Sequence, residues 1–158
     1  MIKVKNNLPE DVRIKIADLL QTALQASIDL TYQSKQAHWN VKGSSFIALH
    51  ELFDKASALA GSFSDDLAER MVQLGGTPKG TVKVAAKGSF LPEYPLDISS
   101  GLDHCAALSS AWGNFASVVR ESIDKSTILA DAGTADLFTG ISRESDKMVW
   151  FIESHLVG

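Results

Sequence analysis

FIALHELFDKASALAGSFSDDLAERMVQL, residues 46–74, places Phe46, Leu49, Phe53, Ala56, Ala60, Phe63, Leu67, Met71 and Leu74 at intervals of three and four. That period marks one stripe of an α-helix, because each residue advances about 100° around the axis. Gly75-Gly76-Thr77-Pro78 ends the run: glycine leaves helical geometry easily and proline cannot resume it. A helix this long with a single apolar stripe must bury that stripe against other helices. The fold class is all-α.

Upstream, Asn7-Leu8-Pro9-Glu10 opens a first helix, with Asn7 placed to cap it, Pro9 in its first turn and acids following. Val12, Ile16, Leu19, Leu20, Ala23, Leu24, Ser27 and Leu30 carry its stripe toward Trp39. Gly43 and Ser44-Ser45 break the chain and recap it before Phe46. Downstream, residues 75 to 99 hold four glycines and three prolines, with room for one short helix near 82–86. Long structureless connections are uncommon in compact domains, so this one is expected to cross the bundle. A third helix follows Ser99-Ser100 (Leu102, Ala106, Trp112, Phe115, Val119, Ile123), and a fourth follows the Asp131–Thr134 turn (Leu137, Ile141, Met148, Phe151, Ile152). Two helical hairpins joined by one long crossover make a ferritin-like four-helix bundle. It forms a single domain over residues 1–158, with 1–7 as a short N-terminal tail.

With 158 residues, 45% of them hydrophobic, the chain can build a real core. No apolar run approaches the roughly 18 residues of a membrane span, and MIKVKNNLPEDVRI lacks the apolar centre of a secretory signal. The single cysteine, Cys105, excludes a disulfide framework and a cysteine-rich zinc site, and it reads as a core residue. A cytoplasmic address is the expectation. A net charge of −4 does not suit a nucleic-acid surface and is compatible with handling cations.

Five residues between positions 38 and 69 are of metal-ligand type: His38, His50, Asp54, Asp65 and Glu69. Setting His50 at zero on the second helix, Asp54 falls near 40°, Asp65 near 60° and Glu69 near 100°. The apolar stripe lies around 220–320° on the same scale, so the acids face away from the chain's own core. Asp66, near 160°, lies off both stripes. A solvated face is the ordinary reading of such a pattern. Against it, Ile47 and Val72 share this face, and its middle carries the small residues Ala58 and Gly61. That composition suits contact with another helix.

Distance then constrains any metal site. Asp54 and Glu69 stand about 22 Å apart along the axis at 1.5 Å per residue, whereas ligand bonds are about 2.0–2.2 Å. One helix cannot bring both to one ion. Two antiparallel copies related by a two-fold axis near Gly61-Ser62 can, and they would create two equivalent sites. Bundles with an internal di-iron site use Glu-x-x-His pairs, and none occurs in this chain. Imidazole with carboxylate suits iron, zinc or manganese and disfavours copper(I); without cysteine, the set leans toward iron.

The pattern HWNVKGSSFIALHELFD, followed after ten residues by DDLAER and then LGG, resembles the ferroxidase signature of the Dps proteins, the mini-ferritins of starved bacteria. The likeness continues through GGTPKGTV, AKGSFLPEYPLDIS, DAGTADLFTGISRESDK and WFIESHL, covering essentially the whole chain. It implies that His38, His50, Asp54, Asp65 and Glu69 are iron ligands shared across a dimer two-fold. It implies a hollow homododecamer in which Fe(II) is oxidised, by hydrogen peroxide in preference to dioxygen, and stored as ferric mineral. Zinc is a conceivable substitute in the same ligands. Trp39 matches a tryptophan beside the centre, with packing and electron transfer as its two readings.

Asp131 and Asp136 open the fourth helix, where acids favour the positive end of the macrodipole; in the family this region lines an iron-admitting pore. His104 and His155 lie outside the signature and read as surface or helix-end histidines. Family members that compact DNA use Lys/Arg-rich tails. Here only Lys3 and Lys5 precede the first helix, so DNA binding is expected to be weak and salt-sensitive.

Overall fold

The computed structural model describes residues 1–157. Its helices, in order, are α1 (Glu10–Asn40), α2 (Phe46–Gln73), α3 (Val82–Gly88), α4 (Gly101–Ile128) and α5 (Ala132–Glu153). No strand occurs among the described residues; Lys42 and Ser100 form an isolated bridge. The fold is the all-α bundle expected from the sequence. α1 packs along α2 and α4 along α5, while α1–α4 and α2–α5 contacts join the two hairpins.

The α1–α2 interface combines apolar packing with a row of hydroxyls. Leu20, Leu24, Leu30, Phe53, Ala56, Ala60 and Leu67 are almost completely buried. Between them Ser27 Oγ and Ser64 Oγ pair at 2.8 Å, and Ser57 Oγ donates to the Thr31 carbonyl at 3.0 Å. Small hydroxyls let the two helices approach while keeping every buried polar atom there partnered. The aromatic centre is Trp112, Phe115 and Phe63, with ring centroids 6.1–6.4 Å apart.

The crossover from α2 to α4 does cross the bundle, and α1 holds it by side-chain contacts. Gln21 exchanges two hydrogen bonds with the Lys79 backbone (2.9 and 3.0 Å). Ser89 Oγ donates to Asp29 at 2.6 Å, and Gln33 donates to the Pro92 carbonyl at 3.0 Å. At its far end the chain meets the α1–α2 connection, where Lys42 N donates to the Ser99 carbonyl at 2.9 Å.

Several local expectations need correction. Leu102, 59% exposed, and Ala106 leave the stripe of the helix after Ser100, which runs instead through His104, Leu108, Ala111 and Phe115, and Phe151 of the last helix is also exposed. Asn7 does not cap α1: Pro9 is the N-cap, and Asn6 Oδ1 instead accepts from Leu8 N at 2.9 Å. Phe46 leaves the apolar stripe of α2 and is 39% exposed, packing on the His50 ring one turn along the helix. The short helix of the crossover runs two residues further than expected, to Gly88. In addition the first residues are docked on the domain: Ile2 N donates to the Gly75 carbonyl at 2.7 Å. Gly75 has φ +85°, and a Cβ there would meet the Ile2 carbonyl at 2.6 Å. Arg13 adjoins this corner, donating to the Leu74 carbonyl at 2.8 Å and so satisfying the end of α2.

Candidate metal centre

The end of α1 and the start of α2 bring His38 and His50 face to face. Their rings stack with centroids 3.7 Å apart and planes 21° from parallel. His38 Nδ1 donates to the His50 carbonyl at 2.7 Å, and His50 Nδ1 donates to the His38 carbonyl at 2.8 Å. A carbonyl can only accept, so both Nδ1 atoms must carry hydrogen. In the neutral rings each Nε2 then keeps its lone pair. That is the tautomer a metal ion requires, fixed in the way backbone carbonyls commonly orient ligating histidines. Phe46 covers His50 on the other side, with centroids 5.0 Å apart, which accounts for its departure from the core.

Asp54 sits one turn beyond His50 and is half exposed. Lys35, one turn before His38 on α1, is hydrogen-bonded to its Oδ1. This ammonium group holds the Asp54 carboxyl below the usual carboxylate range, with smaller help from His38 and His50. The sequence reading missed Lys35. Its signal was available: Lys35 and His38 are three apart on one helix, so they share a face. What could not be seen was the facing of α1 against α2.

Asp65 and Glu69 lie further along the same unbroken α2, both exposed. The helix carries them away from His50 and Asp54, and among the described residues no three His, Cys, Asp or Glu side chains are grouped to hold a metal ion. Ile47 and Val72 on this face are 62% and 48% exposed. Gly61 lies between them, and a Cβ there would meet nothing within 4 Å. Asp66 turns instead toward α5, lining a surface cleft with Asp136, Arg143 and Glu144. Trp39, next to His38, is 64% exposed.

Asp131 is the N-cap of α5. One carboxylate oxygen accepts from Thr134 N (3.0 Å) and Arg70 Nη2 (2.8 Å), and the other accepts from Thr134 Oγ1 (2.6 Å). It is 3% exposed, so the structure realises the capping role foreseen for it, whereas Asp136 is open to solvent. Arg70 thereby ties the Glu69 end of α2 to α5. His104, expected as a surface or helix-end histidine, does lie in the first turn of α4 but is 1% exposed, in the core. The signal was in the sequence: His104 shares the helical period of Leu108, Ala111, Phe115 and Val119, all buried, whereas Leu102 and Ala106 do not. Cys105 is buried as expected, and burial pushes its thiol up to about 11.

Helix order, crossover and bundle together define a ferritin-like domain, and the family model of that description matches residues 17–158. The chain is 42% identical over 154 residues to the DNA protection during starvation protein of Agrobacterium fabrum, covering 98% of this chain and 95% of that one. It is 36% identical over 141 residues to the protein of the same name from Mycolicibacterium smegmatis, covering 89% and 76%. Among solved structures, Mycobacterium smegmatis Dps in its tetragonal form superposes with a TM-score of 0.94 at 32% identity, covering 99% and 96%. Dps from Microbacterium arborescens in its high iron form gives 0.90 at 30% identity, covering 99% and 100%. The chain belongs to the Dps family.

Proposed function

We propose that copies of this chain oxidise Fe(II) to Fe(III), with hydrogen peroxide preferred to dioxygen, at sites shared between two subunits. His38, His50 and Asp54 of one subunit would act with Asp65 and Glu69 of another. The assembly would be a hollow homododecamer that retains ferric mineral and protects the cell from oxidative damage. The observation carrying this reading is the stacked His38–His50 pair, held with both Nε2 lone pairs available beside Asp54. Membership of a family with a relative solved in a high iron form supports iron as the substrate.

The electron count explains why a shared, two-ion site is useful. Peroxide accepts two electrons on reduction to water, and each Fe(II) supplies one. Two ions held together therefore reduce peroxide completely, whereas one ion would release a hydroxyl radical. Zinc would bind the same imidazole and carboxylate ligands without redox chemistry and act as an inhibitor. Asp136, the exposed acid at the start of α5, is the better placed pore candidate, since both oxygens of Asp131 are committed. Trp39, exposed beside His38, would meet oxidants leaving the site.

The test is anaerobic Fe(II) loading followed by peroxide, with Fe(III) formation read by absorbance. Rapid oxidation is expected, with loss in His50→Ala and Asp54→Ala; unchanged rates in both variants would refute the assignment. The relative from Agrobacterium fabrum is named for DNA protection, which leaves direct DNA binding as a second reading. The docked N-terminus makes Lys3 and Lys5 a small basic contribution. A gel shift surviving physiological salt would favour the second reading over protection by iron removal.

A further inference from the structure

Tyr94, on the crossover, and His104, on α4, form a hydrogen-bonded pair outside the metal-ligand set. Tyr94 Oη lies 2.6 Å from His104 Nδ1, with the two rings stacked 14° from parallel. His104 is 1% exposed, and its buried Nε2 makes no well-formed hydrogen bond, although the Asn40 backbone lies close enough to act on the ring. The edge of His104 packs on Phe53 at 6.3 Å between centroids. Phe53 precedes Asp54, and consecutive Cα atoms are about 3.8 Å apart. The pair therefore stands directly behind the proposed metal site, on the core side of α2. Tyr94 itself lines a surface cleft of 280 Å³ with Gln33, Pro92 and Asp103.

Burial lowers the pKa of His104, so the ring is a neutral base at neutral pH. Burial raises the pKa of Tyr94, so the phenol keeps its proton. With Tyr94 donating to Nδ1, the histidine proton resides on Nε2. Oxidising such a phenol alone would leave a cation in a poorly solvated place, which is costly. A base already in contact removes that obstacle. The Asn40 carbonyl and the Asp103 carboxylate both favour a positive charge on His104.

We propose that Tyr94 and His104 form a proton-coupled redox pair, in which Tyr94 yields an electron to a one-electron oxidant while its phenolic proton moves to His104 Nδ1. The products are a neutral tyrosyl radical and an imidazolium. The source of oxidant rests on the ferroxidase reading: peroxide reduced by a single Fe(II) leaves a hydroxyl radical. That radical takes one electron from Tyr94 and one proton from solvent to become water. A small thiol or ascorbate in the cleft returns the electron, and His104 returns the proton. The pair thus removes the odd oxidising equivalent that an incompletely loaded site produces.

The chain holds only two tyrosines, and Tyr32, 55% exposed, serves as the internal control. Freeze-quench EPR would follow peroxide addition to protein carrying less Fe(II) than sites, with Fe(III) recorded in parallel. A second arm would oxidise metal-free protein with a photogenerated ruthenium(III) complex, which needs no iron site. In the photochemical arm a tyrosyl signal is expected that survives Tyr32→Phe and is lost in Tyr94→Phe. It should also be lost in His104→Gln, which can accept the Tyr94 hydrogen bond but not its proton, with folding checked by circular dichroism. A signal lost only in Tyr32→Phe, or retained undiminished in folded His104→Gln, would overturn the pair. Normal photochemical results without any Fe(III) in the first arm would uphold the pair and refute the ferroxidase reading instead.

Discussion

A shared site can be tested by making each subunit supply what the other lacks. α2 is a single helix from Phe46 to Gln73, which fixes Asp54 and Glu69 about 22 Å apart in one chain at 1.5 Å per residue. If an ion needs both, each site takes Asp54 from one copy and Glu69 from another. An Asp54→Ala assembly then has no intact site, and neither does a Glu69→Ala assembly. Co-expressed with different affinity tags and purified through both, the two variants mix within one particle. A mixed dimer has one site with both residues and one with neither. With random pairing half the dimers are mixed, so about a quarter of all sites are restored by the two-fold arithmetic.

The assay is the initial rate of Fe(III) formation with peroxide at fixed Fe(II), normalised to subunits. Both parental variants should be nearly inactive, and the doubly tagged particles should recover about a quarter of the unmutated rate. No recovery in well-folded particles of the same size would show that Asp54 and Glu69 act within one chain or not at all. Full activity in either parent would remove that residue from the site. Either result would refute the reasoning.

Other expectations follow from particular contacts. Lys35→Met frees the Asp54 carboxylate and removes a cation from the ion's surroundings, so zinc, used as a redox-silent probe in calorimetry, should bind more tightly, with the gain shrinking at high salt. Gly61 has open space at its Cβ position, so Gly61→Trp should leave helicity unchanged, while size-exclusion chromatography with light scattering should show the assembly broken if α2 meets α2 there. Asp131→Ala removes an N-cap worth about 1 kcal/mol and a largely buried charged hydrogen bond worth about 1.5–3 kcal/mol, while Asp131→Asn keeps the cap; denaturant melts should place Ala below wild type with Asn between them. His104 has its pKa lowered by burial, so the unfolded chain binds the proton more readily than the fold. Its contribution to stability is therefore complete above pH 6.5 and is lost as the pH falls below that value toward the depressed one. Melting temperatures against pH should show that acid-side loss weakened in His104→Gln.

The helices were legible because their signals are local. The stripe of α2, the Gly75-Gly76 stop, the Ser100 cap of α4 and the Asp131 cap of α5 are written within a few residues of where they act. What escaped the sequence depends on helices facing one another. Lys35 reaches Asp54 across the α1–α2 hairpin, and Arg13 reaches Leu74 from sixty-one positions away. The rotation of Asp65 away from Asp66 was legible for the opposite reason, since it needs only the helical period. Phe46 shows the limit of periodicity: its angle suits the core, yet at the first turn of α2 it is 39% exposed and packs on His50.

The bundle interior also explains why a metal site would lie outside it. Phe53, Trp112, Phe115 and Phe138 are fully buried, and the polar groups of the interior are largely serines. Ser27 and Ser57 bond to backbone, Ser27 also to Ser64, and Ser34 accepts from Trp112, while Ser126 and Ser145 have no partner. Among the described residues that packing leaves no converging carboxylates inside, and an unpaired one there would carry a large desolvation penalty. Asp54, Asp65 and Glu69 stand instead on the outer face of α2, where water reaches them in a single chain. Hydrated carboxylates bind cations weakly, because solvent competes for both partners. A second copy laid against Ile47, Gly61 and Val72 would exclude that water and bring acids from both chains toward one ion. Metal affinity and subunit contact would then reinforce each other by linkage, since an ion that binds only the assembled form stabilises it. Zinc added to metal-free protein should therefore shift the assembly toward the larger species at low protein concentration, and should fail to do so in Glu69→Ala. Equal shifts in both proteins would separate metal binding from assembly.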